Sequence, residues 1–441
     1  MLTREDNELL ARVGPGTAGG AVFRQYWLPA FPSTDLGGAD SDPVRIRLLG
    51  EDLIAFRDSS GRVGIVANNC PHRGASLFFG RNEEDGLRCV YHGWKFDVSG
   101  ACVDMPNEPA ESDFKVKVRA VAYPTLEQGG VVFVYMGPEA NPPALPRLEW
   151  TLVPLDQRYL SMRWEYCNWA QALEGGIDSS HSSFLHSRLN PEDYTGSQRR
   201  GLIYKTRDTH PRFEVVDTDY GVLVGARRDA EEDSYYWRIT QFLMPFYQMI
   251  PPYGESPTLS GHAWVPIDDE NVMTWSVTWH PTRPLTSREV DQMQTYPTSG
   301  IHVGHTGLKP PQPGVPFGWR RPTATRDNDY EINYEVQKKV LFSGIECLGM
   351  QDQAMQESMG PIYDRTQEHL GSSDTAIIQV RRRWLKAAAD MLDHGITPLG
   401  VNNPDAYYVR AAGVVLPRST SWVEGARDHL MAREGVLLAS A

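Results

Sequence analysis

The chain of 441 residues is poor in cysteine: five in all, an odd and sparse set that excludes a disulfide framework and fits reduced thiols and metal ligation. It has no apolar run approaching the ~18 residues a spanning helix needs, and the first residues, MLTREDNELLARVG, are charged rather than leader-like. The expectation is a cytoplasmic protein without a membrane segment. Cations are scarce as well: 43 Lys and Arg stand against 56 Asp and Glu, and the net charge of −13 would repel phosphate backbones, which argues against a nucleic-acid partner. The Gly-rich GPGTAGG lacks a GK[ST] ending and follows no strand, so it reads as a turn and not as a phosphate loop. Internal repeats are missing. What is present is length and 41% hydrophobic content, enough to bury more than one core.

Four stretches follow from the pattern. Residues 1–42 carry a short helical signal, EDNELLARV. From 43 to 137, short alternating runs such as VRIRLLG, DLIAFRD and GGVVFVYMG, separated by DSSG and DVSG, mark a compact antiparallel β domain. PEANPPALPR opens a Pro-rich linker over 138–150. Residues 151–441 combine helical signals, long strands such as YYWRITQFLMPFYQMIPP, a long loop at about 296–328 and a helix-rich end.

Within the β domain, CPHRGASLFFGRNEEDGLRCVYH places Cys70-x-His72 and Cys89-x-x-His92 on two loops. Zinc is a competitor for two cysteines and two histidines, but zinc fingers pair Cys with Cys and His with His, whereas here each loop offers one of each. The mixed pairing suits a 2Fe–2S cluster in which two thiolates hold one iron and two imidazoles the other. The pattern resembles the Rieske family. Rieske proteins of respiratory complexes carry a further cysteine in each loop; with Pro71, Arg73, Val90 and Tyr91 at the flanks, no such bridge can form here, and CPHRG with CVYHGWKFD resembles the lower-potential cluster of ring-hydroxylating oxygenases. Cys102, Cys167 and Cys347 lack a partner at ligand spacing and are assigned structural roles.

Asp178-x-x-His181-x₄-His186 offers a second ligand set. Positions five apart on a straight helix point about 140° away from each other, so both imidazoles reach one metal only if the helix breaks, and SSFL between them permits a break. Asp178 stays close to the face of His181 and can accept from the ring nitrogen not engaged with metal. Two histidines need one carboxylate to complete a facial triad. Glu346, Asp352, Glu357, Asp364 and Glu368 are the acids in the later helical segment, and spacing alone does not choose among them.

Across nearly its whole length the chain resembles the Rieske non-haem iron ring-hydroxylating oxygenase α subunits, in particular the phthalate 4,5-dioxygenase-like group. RVGPGT followed by YWLPA, the cluster motif, NWAQALEGGIDSSHSSFLH, RDNDYEINYEVQ and QDQAMQESMGPIYDRTQEHLGSSD carry the likeness. It implies an α+β protein: an N-terminal Rieske antiparallel β-sandwich domain and a C-terminal helix-grip catalytic domain, in homotrimers or stacked trimers. It implies Asp352 as the third ligand of a mononuclear Fe(II), and Asp178 as the bridge between that iron and a neighbouring subunit's cluster. It implies a reductase partner with flavin and a plant-type 2Fe–2S cluster, O₂ as co-substrate, and an aromatic carboxylate such as a phthalate, benzoate or phenoxybenzoate, cis-dihydroxylated on the ring. Monooxygenation or O-demethylation of an aryl ether, and electron transfer alone, are the competing readings. Arg207, Arg212, Arg227, Arg228 and Arg238 are the candidate carboxylate partners, and Trp237, Phe242, Phe246 and Tyr247 the candidate cavity walls, each weighed against a plain surface or core role.

Overall fold

The computed structural model describes residues 1–109, 111–196, 198–316 and 320–441. Three small antiparallel sheets build the N-terminal part. Val44–Leu48, Glu51–Arg57, Val63–Ala67 and Ala122–Tyr123 form one; Arg81–Glu83, Gly86–Arg88, Lys95–Phe96 and Cys102–Asp104 form a second, which carries the cluster loops. In the third, Val131–Tyr135 pairs with both Thr125–Gln128 and Trp27–Pro32. WLPAFP, in the segment expected to be helical, is therefore a strand, preceded by two short helices, Arg4–Ala11 and Ala18–Phe23. Phe23 stacks on Phe246 and meets Trp169 and Trp384 edge-on and tilted, so the N-terminal helices close the larger core.

The C-terminal part is an eight-stranded antiparallel sheet. In spatial order it runs Arg158–Glu165, Val272–Trp279, Leu259–Pro266, Tyr247–Ile250, Ser234–Leu243, Gly221–Asp229 and Arg212–Asp217, with Ala412–Pro417 pairing onto Ser234–Leu243. The helices Trp169–Ile177 and Thr375–His394 lie on it, and Leu348–Ser358 packs on the first of these. Directly paired residues share a face, and the face toward Trp169–Ile177 carries buried polar groups, among them Arg228, Arg238, Gln248, His262, Arg163 and Glu165. A face so polar under a helical layer is unusual for a core and marks the working side of the sheet. Among the described residues, no helix is long and apolar enough to cross a membrane.

Candidate functional site

The two cluster loops close in the same way. Gly74 N–H donates to Cys70 C=O and Gly93 N–H to Cys89 C=O, each at 2.9 Å, while Cys70 N–H reaches Ala75 C=O and Cys89 N–H reaches Trp94 C=O, each at 2.8 Å. Both glycines have positive φ, 76° and 81°, which a side chain adopts only with strain. At Gly93 a Cβ would also meet Pro106 at 2.6 Å. These matched loops bury the thiols, Cys70 at 2% and Cys89 at 4% exposure, and leave His72 and His92 half-buried at the rim. The imidazoles lie 4.5 Å apart at 70°, and His72 stacks on Trp94 at 4.2 Å. Burial pushes the Cys70 thiol up to about 11, so the bare thiol resists ionising and a metal is what would hold it as a thiolate. Among the described residues, the group of His, Cys, Asp and Glu ligand atoms within 4.8 Å of one another is His181, His186 and Asp352. The one Cys and one His that each cluster loop offers suit ligands shared between two irons better than one tetrahedral ion.

The second site begins where the helix Trp169–Ile177 ends. Asn168 caps its start, accepting from Ala170 N–H at 3.1 Å. The helix stops because Asp178 turns back on the chain: its Oδ1 accepts from Ser180 N–H at 2.6 Å and its Oδ2 from His181 N–H at 3.1 Å. The break that the spacing demands thus lies ahead of both histidines, not between them. A single 3₁₀ turn, His181–Ser183, then swings His186 back until the two Nε2 atoms stand 3.0 Å apart. Asp352, on Leu348–Ser358, brings Oδ1 to 3.3 Å from His186 Nε2 and 3.6 Å from His181 Nε2. Ligands ~2.1 Å from one ion and at right angles to each other lie ~3.0 Å apart, so the triangle fits three neighbouring corners of an octahedron with the opposite side open. Burial opposes ionisation of Asp352, yet the imidazoles of His186 and His181 outweigh it and hold the carboxyl well below its usual range. For His181, burial works against protonation, but Asp178 and Asp352 prevail and raise it.

The other acids are engaged elsewhere. Glu357 accepts from Tyr166 N–H, Gln353 and Tyr330, Glu368 pairs with Arg381, Asp364 caps Thr366, and Glu346 is exposed. A groove of ≈ 720 Å³ reaches Asp178, His181 and Asp352 from the surface, and its rim is apolar, with Phe184, Phe342 and Met359 exposed.

Behind the 178–186 loop, away from the acids, lie three buried cations. Arg228 is 0% exposed, Lys205 6% and Arg238 8%, and among the described residues none of them has an Asp or Glu side chain at ion-pair distance. Arg228 holds the loop itself, donating to Ser179 C=O at 2.7 Å and to the Ser179 and Ser183 hydroxyls at 3.2 and 3.3 Å. Arg238 sits over the Tyr253 ring at 4.7 Å with Nε and Nη1 unpartnered. Burial, together with Arg238 and Arg228, lowers the Lys205 ammonium to about 8.

Residues 26–124 match the Rieske 2Fe–2S domain model, and residues 134–435 match the LigXa C-terminal domain-like model. The 3-chlorobenzoate-3,4-dioxygenase oxygenase subunit of Comamonas testosteroni is 41% identical over 96% of this chain and 97% of its own. The phthalate 4,5-dioxygenase oxygenase subunit of Pseudomonas putida is 38% identical over 88% and 87%. The chain belongs to the Rieske non-haem iron aromatic ring-hydroxylating oxygenases. The 5,5'-dehydrodivanillate O-demethylase oxygenase subunit of a Sphingobium species is 33% identical over 88% and 80%. The terminal oxygenase of carbazole 1,9a-dioxygenase from Nocardioides aromaticivorans shares the fold, with TM-score 0.53, 18% identity and coverage of 87% and 96%.

As a Rieske oxygenase α subunit the protein is an enzyme whose cofactors are a 2Fe–2S cluster and a mononuclear iron. Several expected substrate contacts fall elsewhere. Arg207 ends a helix, Arg212 is exposed on an edge strand, and Arg227 turns away from the working face over Tyr235. Trp237 stacks on Trp422 outside the working face, and Phe246 packs on Phe23 and Tyr247 on Phe246, all as core. Phe242 shares the face of Arg238 but is fully buried. Lys205 and Gln351, the latter 2.6 Å from His186, were not indicated by any spacing.

Proposed function

We propose that this oxygenase uses O₂ and electrons from an external reductase to hydroxylate an aromatic carboxylate, adding both oxygens to the ring as a cis-dihydrodiol. In this reading Cys70, His72, Cys89 and His92 hold the cluster, and His181, His186 and Asp352 hold the mononuclear iron. The cluster supplies electrons one at a time, and the iron supplies the site at which O₂ is reduced. Asp178 Oδ2 stands 3.5 Å from His181 Nδ1, close enough to orient that ring once the site is loaded. The single observation that carries the substrate class is the trio Lys205, Arg228 and Arg238: among the described residues no Asp or Glu side chain pairs with these buried cations, which face Tyr253 instead, and a bound substrate carboxylate would supply the missing counter-charge.

The relatives favour the same class, since chlorobenzoate and phthalate are the substrates in their names. The demethylase relative favours O-demethylation of an aryl ether as the second reading, and product analysis separates the two. The exposed Val90 and Tyr91 at the cluster rim, and the apolar rim of the groove at Asp178, support assembly as a trimer in which one subunit's cluster meets the next subunit's groove. A flavin-containing reductase with a plant-type 2Fe–2S cluster is the proposed donor. Substrate-stimulated O₂ uptake, screened over benzoates, phthalates and phenoxybenzoates and their methyl esters with such a reductase, tests the proposal. Acids should stimulate and esters should not; uptake driven equally well by the esters would refute an anionic substrate.

A further inference from the structure

Each ring nitrogen of an imidazole has one role when the ring is neutral: one carries the proton and the other offers a lone pair. A ligand therefore needs something behind it to decide which is which. For His186 that partner is Gln351, whose Oε1 stands 2.6 Å from Nδ1. An amide can present either end, so the question is what fixes the amide. Its Nε2 lies 2.6 Å from the carbonyl oxygen of Ile345, an atom that only accepts. Nε2 must donate there, so Oε1 faces His186. An amide oxygen only accepts too, so Nδ1 carries the proton and the Nε2 lone pair is free on the side where His181 Nε2 and Asp352 Oδ1 converge. Gln351 is buried and precedes Asp352 on the same helix.

We propose that Gln351 is a positioning residue: through the Ile345 carbonyl it locks His186 in the tautomer that leaves Nε2 for the iron, and it does so with a neutral group where His181 has the carboxylate of Asp178. The inference rests on the reading that His181, His186 and Asp352 hold the metal. It gives the two histidines unequal backing. A carboxylate behind a ligand raises its basicity, an amide does so less, and a carboxylate at position 351 would add one negative charge beside the iron.

The test uses the full chain with its cluster intact, the mononuclear site emptied with a chelator and then titrated with Co(II), read by its visible absorption. Gln351→Met keeps the length and loses the acceptor; Gln351→Glu keeps an acceptor for His186 but gives up the donor to the Ile345 carbonyl. The expected result is a Co(II) affinity about 10- to 100-fold weaker for Gln351→Met, and a smaller loss for Gln351→Glu, which still offers Nδ1 an acceptor. A packing role predicts the reverse order, with the methionine tolerated and the buried charge not. Wild-type affinity in Gln351→Met, or a loss in Gln351→Glu as large as or larger than in Gln351→Met, overturns the proposal. Absence of Co(II) binding by wild type would instead overturn the ligand assignment beneath it. A measurement on unmodified sequence stands apart from any folding failure of the variants: the ¹⁵N signals of His186 in zinc-loaded protein should show Nδ1 protonated and Nε2 metal-bound, and the opposite tautomer overturns the proposal.

Discussion

Arg238→Met should make the free protein more stable and the substrate complex weaker. Arg238 is 8% exposed, two of its donors have no partner among the described residues, and Lys205 and Arg228 both feel its charge as repulsion, while Tyr253 and the buried Tyr236 favour it. The Tyr253 face recovers about 2 kcal/mol at most for a desolvated guanidinium. Against it stands a desolvation cost of several kcal/mol per buried ion, so an apolar side chain of similar length relieves the free protein by about 1–3 kcal/mol. With a carboxylate bound the sign reverses. Removing one partner of a buried ion pair costs about 3–4 kcal/mol, which is roughly a 10²- to 10³-fold rise in Kd for an aromatic acid. Two measurements check this: thermal unfolding with and without substrate, and substrate-stimulated O₂ uptake on an acid and its methyl ester. The variant should unfold at a higher temperature when free, lose the stabilisation that an added acid gives wild type, and no longer distinguish acid from ester. A variant that unfolds at a lower temperature and binds the acid as tightly as wild type would refute the reasoning, because Arg238 would then be a satisfied structural cation.

Lys205, lowered to about 8 from 10.5, binds a proton more weakly in the folded chain than in the unfolded one. Stability of the free protein should therefore rise as pH climbs from about 8 to 10.5, and affinity for an aromatic acid should fall across pH 8; in Lys205→Met both dependences should flatten, as urea titrations and binding isotherms at several pH values would show. Asp178→Asn should keep both metals and lower turnover by about 10- to 100-fold; full turnover, or complete loss of iron by metal analysis, would contradict its assigned role. Gly176→Ala places a Cβ 2.1 Å from the Trp264 ring, where the helix Trp169–Ile177 meets the sheet. It should cost about 1–3 kcal/mol and lower mononuclear iron content while the cluster absorption persists. Chelation of the mononuclear iron should abolish O₂ uptake and leave the cluster reducible, and Fe(II) alone should restore turnover.

The parts of the site that could be read in the sequence are those whose members are close neighbours in the chain. Cys70 and His72 share one loop and Cys89 and His92 another, and Asp178, His181 and His186 lie on one connection, so spacing carries their geometry. Asp352 has no such local signature. Five acids compete for its role, and only the fold shows that Glu357 and Glu368 are spent on Tyr330 and Arg381. Strand alternation says that of Arg227 and Arg228 one faces inward, but not which; the sheet turns Arg228 to the working face and Arg227 onto Tyr235. Trp27–Pro32 was unreadable as a strand because its partner, Val131–Tyr135, lies some hundred residues away and supplies the pairing that its two prolines do not advertise. Lys205 and Gln351 are residue types that usually face solvent on helices, and only burial against the 178–186 loop and His186 gives them a role.

The 178–186 loop separates charge, and that separation orders the proposed reaction. On its groove side stand Asp178 and Asp352, both held ionised against the effect of burial by the histidines they touch. On its sheet side stand Lys205, Arg228 and Arg238, with no Asp or Glu side chain at ion-pair distance among the described residues. A divalent ion gains from the first side and is repelled from the second, while an anionic substrate group does the opposite, so the same field that selects the ligands also sets which end of the substrate approaches the metal. Arg228 ties the two sides together, since it would contribute charge to the proposed anion subsite and its hydrogen bonds to Ser179 and Ser183 hold the turn from which His181 projects. Filling the subsite with an anion relieves repulsion among the three cations and so steadies that turn. This gives a physical route by which a bound substrate can be sensed at the iron ligands without touching them.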